Sequence, residues 1–197
     1  PYSVIMDGDE LARIGLRELL RRGCRRIALC SGIAPHRHLE KATVPVETSL
    51  EKTYRETLEL HGLPLDASLV KTNRHLIPEN GIVTISVQEQ GYHSVLSLFE
   101  GPKDSWPDGI FINDDIMTQG ALAALQKLEL RAGRDILIAT HANRGSNVLM
   151  GYEDSLIVIE QDPLDVVQAL FDLLEPLLDG RQPEQKHIVL MPQLRHS

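Results

Sequence analysis

The stretch PDGIFINDDIMTQGALAAL, residues 107–125, decides the fold of this chain. Its apolar run over 109–113 predicts a short buried strand, and the segment 114–128 predicts a helix capped by Asp114. In an open α/β sheet, ligands bind just outside the carboxyl ends of the strands. Asn113 and Asp114 lie at that junction, so both are candidate ligand-binding residues. A structural role is the alternative for both, with Asp114 capping the helix and Asn113 satisfying backbone groups.

The rest of the chain repeats this alternation of short β-branched runs and longer amphipathic segments. We expect strands covered by helices on both faces, which gives an α/β fold with a mostly parallel sheet. Residues 82–87 fit either an extra strand or the approach to a helix. The predicted strands are 2–6, 26–31, 67–72, 109–113, 135–140, 156–159 and 187–191, and the predicted helices are 9–22, 47–61, 89–100, 114–128 and 163–178.

Composition narrows the function classes. The 197 residues are 42% hydrophobic and carry a formal net charge of −8. This negative charge argues against binding of the nucleic-acid phosphate backbone by this chain itself. No apolar run approaches the ~20 residues of a membrane span. Cys24 and Cys30 are predicted to be buried, reduced thiols, which favours a cytoplasmic location. Dinucleotide and P-loop sites are not expected, since neither glycine motif is present.

Five motifs in order resemble the effector-sensing domain of the LacI/GalR family of transcriptional regulators. They are GCRRIALCSG (23–32), the 107–125 stretch, RDILIAT (134–140), IEQDP (159–163) and LRHS (194–197). The resemblance implies Rossmann-like subdomains of the type I periplasmic-binding-protein-like fold. It also implies a small-molecule effector, no cofactor, no catalysis, no membrane contact and a homodimer. DNA would be contacted only through a helix-turn-helix that this chain lacks.

The resemblance further implies how the chain divides. Residues 1–152 and 187–197 would belong mainly to the C-terminal subdomain of the sensor. Residues 153–186 would be a return segment of the N-terminal subdomain, whose first part is expected to be missing from this chain. We therefore expect exposed apolar surface on 156–180.

Several site residues follow from the same resemblance. Gln161 matches a hinge-side glutamine of the family, although it could also only organise the crossover. Leu50 stands where the family has an arginine and Ala142 where it has an aspartate, so common hexoses are predicted to bind poorly. His141, Asn143 and Arg144 are expected in one loop and could supply other recognition, for example Arg144 with a carboxylate or phosphate. The alternative is that Arg144 is simply exposed.

Two other functions remain open at this point. VIMDGDEL, residues 4–11, resembles the start of haloacid dehalogenase-like phosphatases, which would use Asp7 and Asp9 with Ser31, residues 113–115 and Lys103. It lacks the Thr or Val expected after the second aspartate and leaves IEQDP unexplained. The second is a periplasmic solute-binding protein, which the upstream sequence would distinguish from a regulator. His36 and His38 are expected to be solvated rather than metal-bound.

Overall fold

The computed structural model describes residues 2–33, 47–77 and 82–195. Within these ranges the chain alternates strands and helices through most of its length. The strands are β1 (Ser3–Met6), β2 (Ile27–Cys30), β3 (Val70–Lys71), β4 (Gly109–Ile112), β5 (Leu137–Asn143), β6 (Ile157–Gln161), β7 (His187–Leu190) and β8 (Gln193–Leu194); the helices are α1 (Gly8–Arg21), α2 (Ser49–Leu60), α3 (Val87–Leu98), α4 (Asp115–Lys127) and α5 (Pro163–Leu178).

The main sheet has six strands in the order β3-β2-β4-β5-β6-β8. All neighbouring strands run parallel except β8, which pairs antiparallel with β6. Side chains alternate across this sheet, so Phe111 packs in the core under α1 and α2, while Ile110 and Ile112 pack in the core under α3 and α4. The predicted mostly parallel α/β sheet with helices on both faces is confirmed.

A smaller sheet pairs β1 with β7 in parallel, from Ser3↔His187 to Met6↔Leu190, and α5 contacts both of its strands. This pairing differs from the expected division of the chain for three strands: β1 and β7 lie outside the main sheet, and β6 lies in it. β6 joins the main sheet beside β5, because the apolar run Ile157 to Ile159 is fully buried and only the main sheet covers both of its faces. β7 joins β1 instead of the main sheet, in keeping with its half-exposed pattern.

The helix bounds agree with the predicted ones to within about two residues. Asp114 caps α4 by accepting a hydrogen bond from the Met117 amide at 2.8 Å, as predicted. Gly23 and Gly180 follow α1 and α5 with φ angles of 98° and 70°, conformations that favour glycine. Residues 82–87 lead into α3, and the predicted strand over 67–72 is shortened because Ala67–Leu69 forms a 3-10 turn capped by Asp66.

α5 leaves most of its apolar side chains uncovered. Leu173 and Ala169 face inward, and the expected exposed apolar surface on this segment is present. None of the helices in the described ranges combines the length and hydrophobicity that a bilayer span requires. The exposed apolar residues of α5 are Leu164, Val167, Leu170, Phe171, Leu174 and Leu178.

Candidate functional site

A cavity of about 540 Å³ opens between the carboxyl edge of the main sheet and the β1–β7 sheet. Its position follows from the parallel topology, because loops and helix N-termini gather where parallel strands end. The β1–β7 sheet contributes an apolar side, and the main sheet with its helices contributes a more polar one. The lining residues are Ile5, Met6 and Val189 from the small sheet, Asp7, Gly8 and Asp9 at the start of α1, and Leu11, Ser49, Leu50, Asn113 and His141.

Asn113 and His141 form the polar centre of this cavity. Ile112 pairs with Thr140 in register, so the residues that follow them lie side by side at the sheet edge. Both point to the face that carries Phe111 and Ala139. Asn113 Oδ1 and His141 Nε2 are buried and have no hydrogen-bond partner among the described residues. A bound molecule that hydrogen-bonds to these two atoms would remove the free-energy cost of leaving them unpaired.

The charge state of His141 is set by its surroundings. Burial lowers the pKa of His141 below its usual value, and the nearby carboxylates of Asp115 and Asp114 oppose that shift. The imidazole is therefore neutral at neutral pH. In that state, one ring nitrogen donates a hydrogen bond and the other accepts one.

Asn143 and Gln161 are the last residues of β5 and β6 and pair with each other in register. They lie at the same carboxyl edge of the main sheet. Gln161 is only 3% exposed, and its Oε1 has no partner within the described part of the chain. Asn143 is exposed. The prediction that residues 141–144 form a loop is wrong, because pairing with β6 extends β5 through Asn143 and only Arg144 follows the strand.

Three other predicted positions are not among the residues that line the cavity. Arg144 pairs with Asp162 at 2.8 Å and lies 3.8 Å from Glu160, which also holds Arg195 at 2.7 Å. The side chain of Asp114 is occupied by capping α4. Ala142 is buried in the core under α3 and α4, so it does not mark a polar group lost from the cavity.

Sequence reasoning assigned Leu50 to the cavity but missed the start of α1 as part of the wall. Asp7 caps α1 through a 2.8 Å hydrogen bond from the Glu10 amide. Asp9 accepts a hydrogen bond from the Ser49 hydroxyl, which joins α1 to α2. The signal was available, because residues 3–11 show the same strand, polar junction and helix as 107–125.

The phosphatase arrangement is not formed. β1, which would carry its first aspartate, lies outside the main sheet. Lys103 precedes β4 and so lies at the amino edge, opposite the cavity, with its ammonium over Trp106. No group of three metal-binding side chains assembles among the residues that the structure describes. His36 and His38 lie outside those residues.

The comparisons with known proteins agree with this architecture. Residues 16–197 match the family model of the periplasmic binding protein-like domain. The transcriptional repressor PurR of Salmonella arizonae is 26% identical over 120 residues, which span 60% of this chain and 34% of the repressor. The match thus covers about a third of that curated relative.

Solved structures of regulators share the fold. A LacI-family regulatory protein from Chloroflexus aggregans superposes with a TM-score of 0.74 at 24% identity, covering 98% of this chain and 62% of that one. The complex of the transcriptional regulator CelR with cellobiose gives 0.70 at 22% identity, covering 98% and 52%. The resemblance found in the sequence motifs is confirmed, and the chain belongs to the periplasmic binding protein-like domain family.

Proposed function

We propose that this chain is the effector-sensing part of a LacI-type transcriptional regulator and has no catalytic activity of its own. It binds a small-molecule effector in the cavity between the main sheet and the β1–β7 sheet. DNA is contacted by a separate segment of the regulator, which acts as a homodimer in the cytoplasm. The family match and the regulators of similar fold support this function.

One observation carries the proposal. Asn113 Oδ1, His141 Nε2 and Gln161 Oε1 are buried without partners among the described residues. Asn113 directly follows β4, and His141 and Gln161 lie in the last paired residues of β5 and β6, so all three are at the carboxyl end of the main sheet. A buried polar atom without a hydrogen bond costs on the order of 1–3 kcal/mol. A binding site can retain such atoms, since the ligand completes their hydrogen bonds.

The connections between the two sheets suit a sensor that changes shape. The chain passes between them at Asp7, at Asp162 and at residues 191–192. We propose that β1, α5 and β7 belong to one subdomain of the regulator and the main sheet to the other. The uncovered apolar face of α5 would then pack against the remainder of its subdomain.

Thermal unfolding tests the proposal with a panel of small metabolites that includes neutral sugars such as cellobiose and ribose, nucleosides, and anionic compounds. The expected result is a saturable rise in Tm with at least one compound. The rise should be lost in Asn113→Leu and kept in Asn147→Leu, a matched change in an exposed turn.

Two outcomes contradict the proposal. One is binding that Asn113→Leu leaves unchanged, which would place the ligand elsewhere. The other is magnesium-dependent phosphatase activity that Asp7→Asn abolishes, which would make the chain an enzyme.

A further inference from the structure

We propose that the effector is an uncharged or cationic molecule with an apolar body, and that the cavity discriminates against anions. This inference rests on the proposed function, because it names the class of ligand for the same cavity. It follows from the apolar wall, the charges around the cavity and the way the nearby helices are capped.

The side of the cavity formed by the β1–β7 sheet is apolar. Ile5, Met6 and Val189 are 52%, 40% and 53% exposed there. Leu11 and Leu50 add apolar surface from α1 and α2. Removing such apolar surface from water favours binding. A ligand with a flat or bulky apolar part therefore gains more here than a fully hydroxylated one.

The charged side chains that line the cavity in the described part of the chain are negative. Asp7 and Asp9 are among the lining residues, and no lysine or arginine is among those that the structure describes. Asp114 and Asp115 lie close enough to act on the charge state of His141. An anion entering the cavity would meet these carboxylates, and none of the described lining residues supplies a cation to pair with it.

Helix N-termini are the usual alternative for binding an anion, because their amides point outward and their dipoles favour negative charge. Here the chain's own carboxylates occupy that role. Asp7 caps α1, Asp114 caps α4, and Glu51 accepts the Thr48 amide in the capping box of α2. The positive ends of these helix dipoles are therefore already balanced by carboxylates of the chain itself.

Recognition falls to neutral groups instead. The Asn113 amide and the neutral His141 imidazole offer hydrogen bonds that carry no net charge. Arg144, the cation that could have bound a carboxylate or phosphate, is held by Asp162 and Glu160 outside the cavity. The hydrogen-bonding groups on the ligand should thus be amide, hydroxyl, ring nitrogen or amine.

Three near-isosteric probes separate charge from shape: benzamidine, benzamide and benzoate. Their affinities for this chain would be measured by following the His141 ring resonances in NMR titrations. We expect benzamidine and benzamide to bind at least about tenfold more tightly than benzoate, a ratio of about 1.4 kcal/mol. Asp9→Asn should narrow that gap, whereas Asp172→Asn, a matched change in an exposed position on α5, should leave it unchanged.

The inference is overturned if benzoate binds as tightly as benzamide or if none of the three probes shifts the His141 resonances. It is also overturned if the metabolite screen finds an anionic effector whose binding Asn113→Leu removes. That last result would leave the proposed sensor function standing, so the two failures are distinguishable.

Discussion

The substitution Gly120→Ala tests whether the wall that carries Asn113 depends on close backbone packing. A Cβ at Gly120 in α4 would lie 1.7 Å from the Gln88 carbonyl oxygen and 3.0 Å from the Tyr92 amide nitrogen, both in α3. These are backbone atoms, so no side chain can rotate away. Non-bonded heavy atoms settle at roughly 3.5 Å or more, so the two helices would have to separate by about 1.8 Å at this point.

The magnitude follows from two opposing effects. Overpacking of this kind costs about 1–3 kcal/mol, and the higher part of the range applies because the obstacle is rigid. Alanine returns about 0.5–1 kcal/mol through its better helix propensity. We expect a net loss of about 2 kcal/mol in the free energy of unfolding. With a urea slope of about 2 kcal/mol per molar, the midpoint falls by about 1 M.

Urea unfolding followed by circular dichroism measures this shift. Gly8→Ala is the matched control, since a Cβ at Gly8 meets nothing within 4 Å and should change stability by less than about 1 kcal/mol. Equal midpoints for the Gly120 and Gly8 variants would refute the reasoning, because they would show that α3 and α4 have room between them.

Two further predictions concern the burial of single side chains. Because burial lowers the pKa of His141, the unfolded chain takes up a proton there at a higher pH than the folded chain does. Stability is therefore lost as the pH falls from just above about 6.5 through the lower folded pKa. Between pH 7 and pH 5, the free energy of unfolding of the His141→Phe variant should fall less than that of the unchanged chain. Identical pH dependence of the two would contradict this. In α5, Leu173 is 5% exposed and Phe171 is 54% exposed. In urea unfolding, Leu173→Ala should lower the free energy of unfolding by about 2–4 kcal/mol and Phe171→Ala by less than about 1 kcal/mol. Equal losses would contradict the faces assigned to these two residues.

The fold was predictable where local signals and burial agree. The bounds of α5 were predicted correctly because Asp162 caps it, Pro163 occupies its first turn and Gly180 follows its end. The partner of each strand was harder to predict, since pairing is decided far away in the sequence. The apolar run of β6 is compatible with either sheet until the coverage on both of its faces is known.

The candidate site was also predictable only in part. Asn113 and His141 line the cavity as expected for residues at the carboxyl ends of strands. Arg144 could not be assigned, because its partners Asp162 and Glu160 become neighbours only through the pairing of β5 and β6. Ala142 could have been placed correctly, since alternation along a strand puts it on the opposite face from His141.

The polar and apolar sides of the cavity would have different roles in the proposed sensor. A ligand shifts an equilibrium between two arrangements only if it binds one of them more tightly. Contacts with Asn113 and His141 alone lie on a single sheet and would be equally strong in both arrangements. Contacts that also reach Met6 and Val189 depend on how the β1–β7 sheet approaches the main sheet. The polar pair would therefore supply affinity and orientation, while the apolar wall would convert binding into a change of shape.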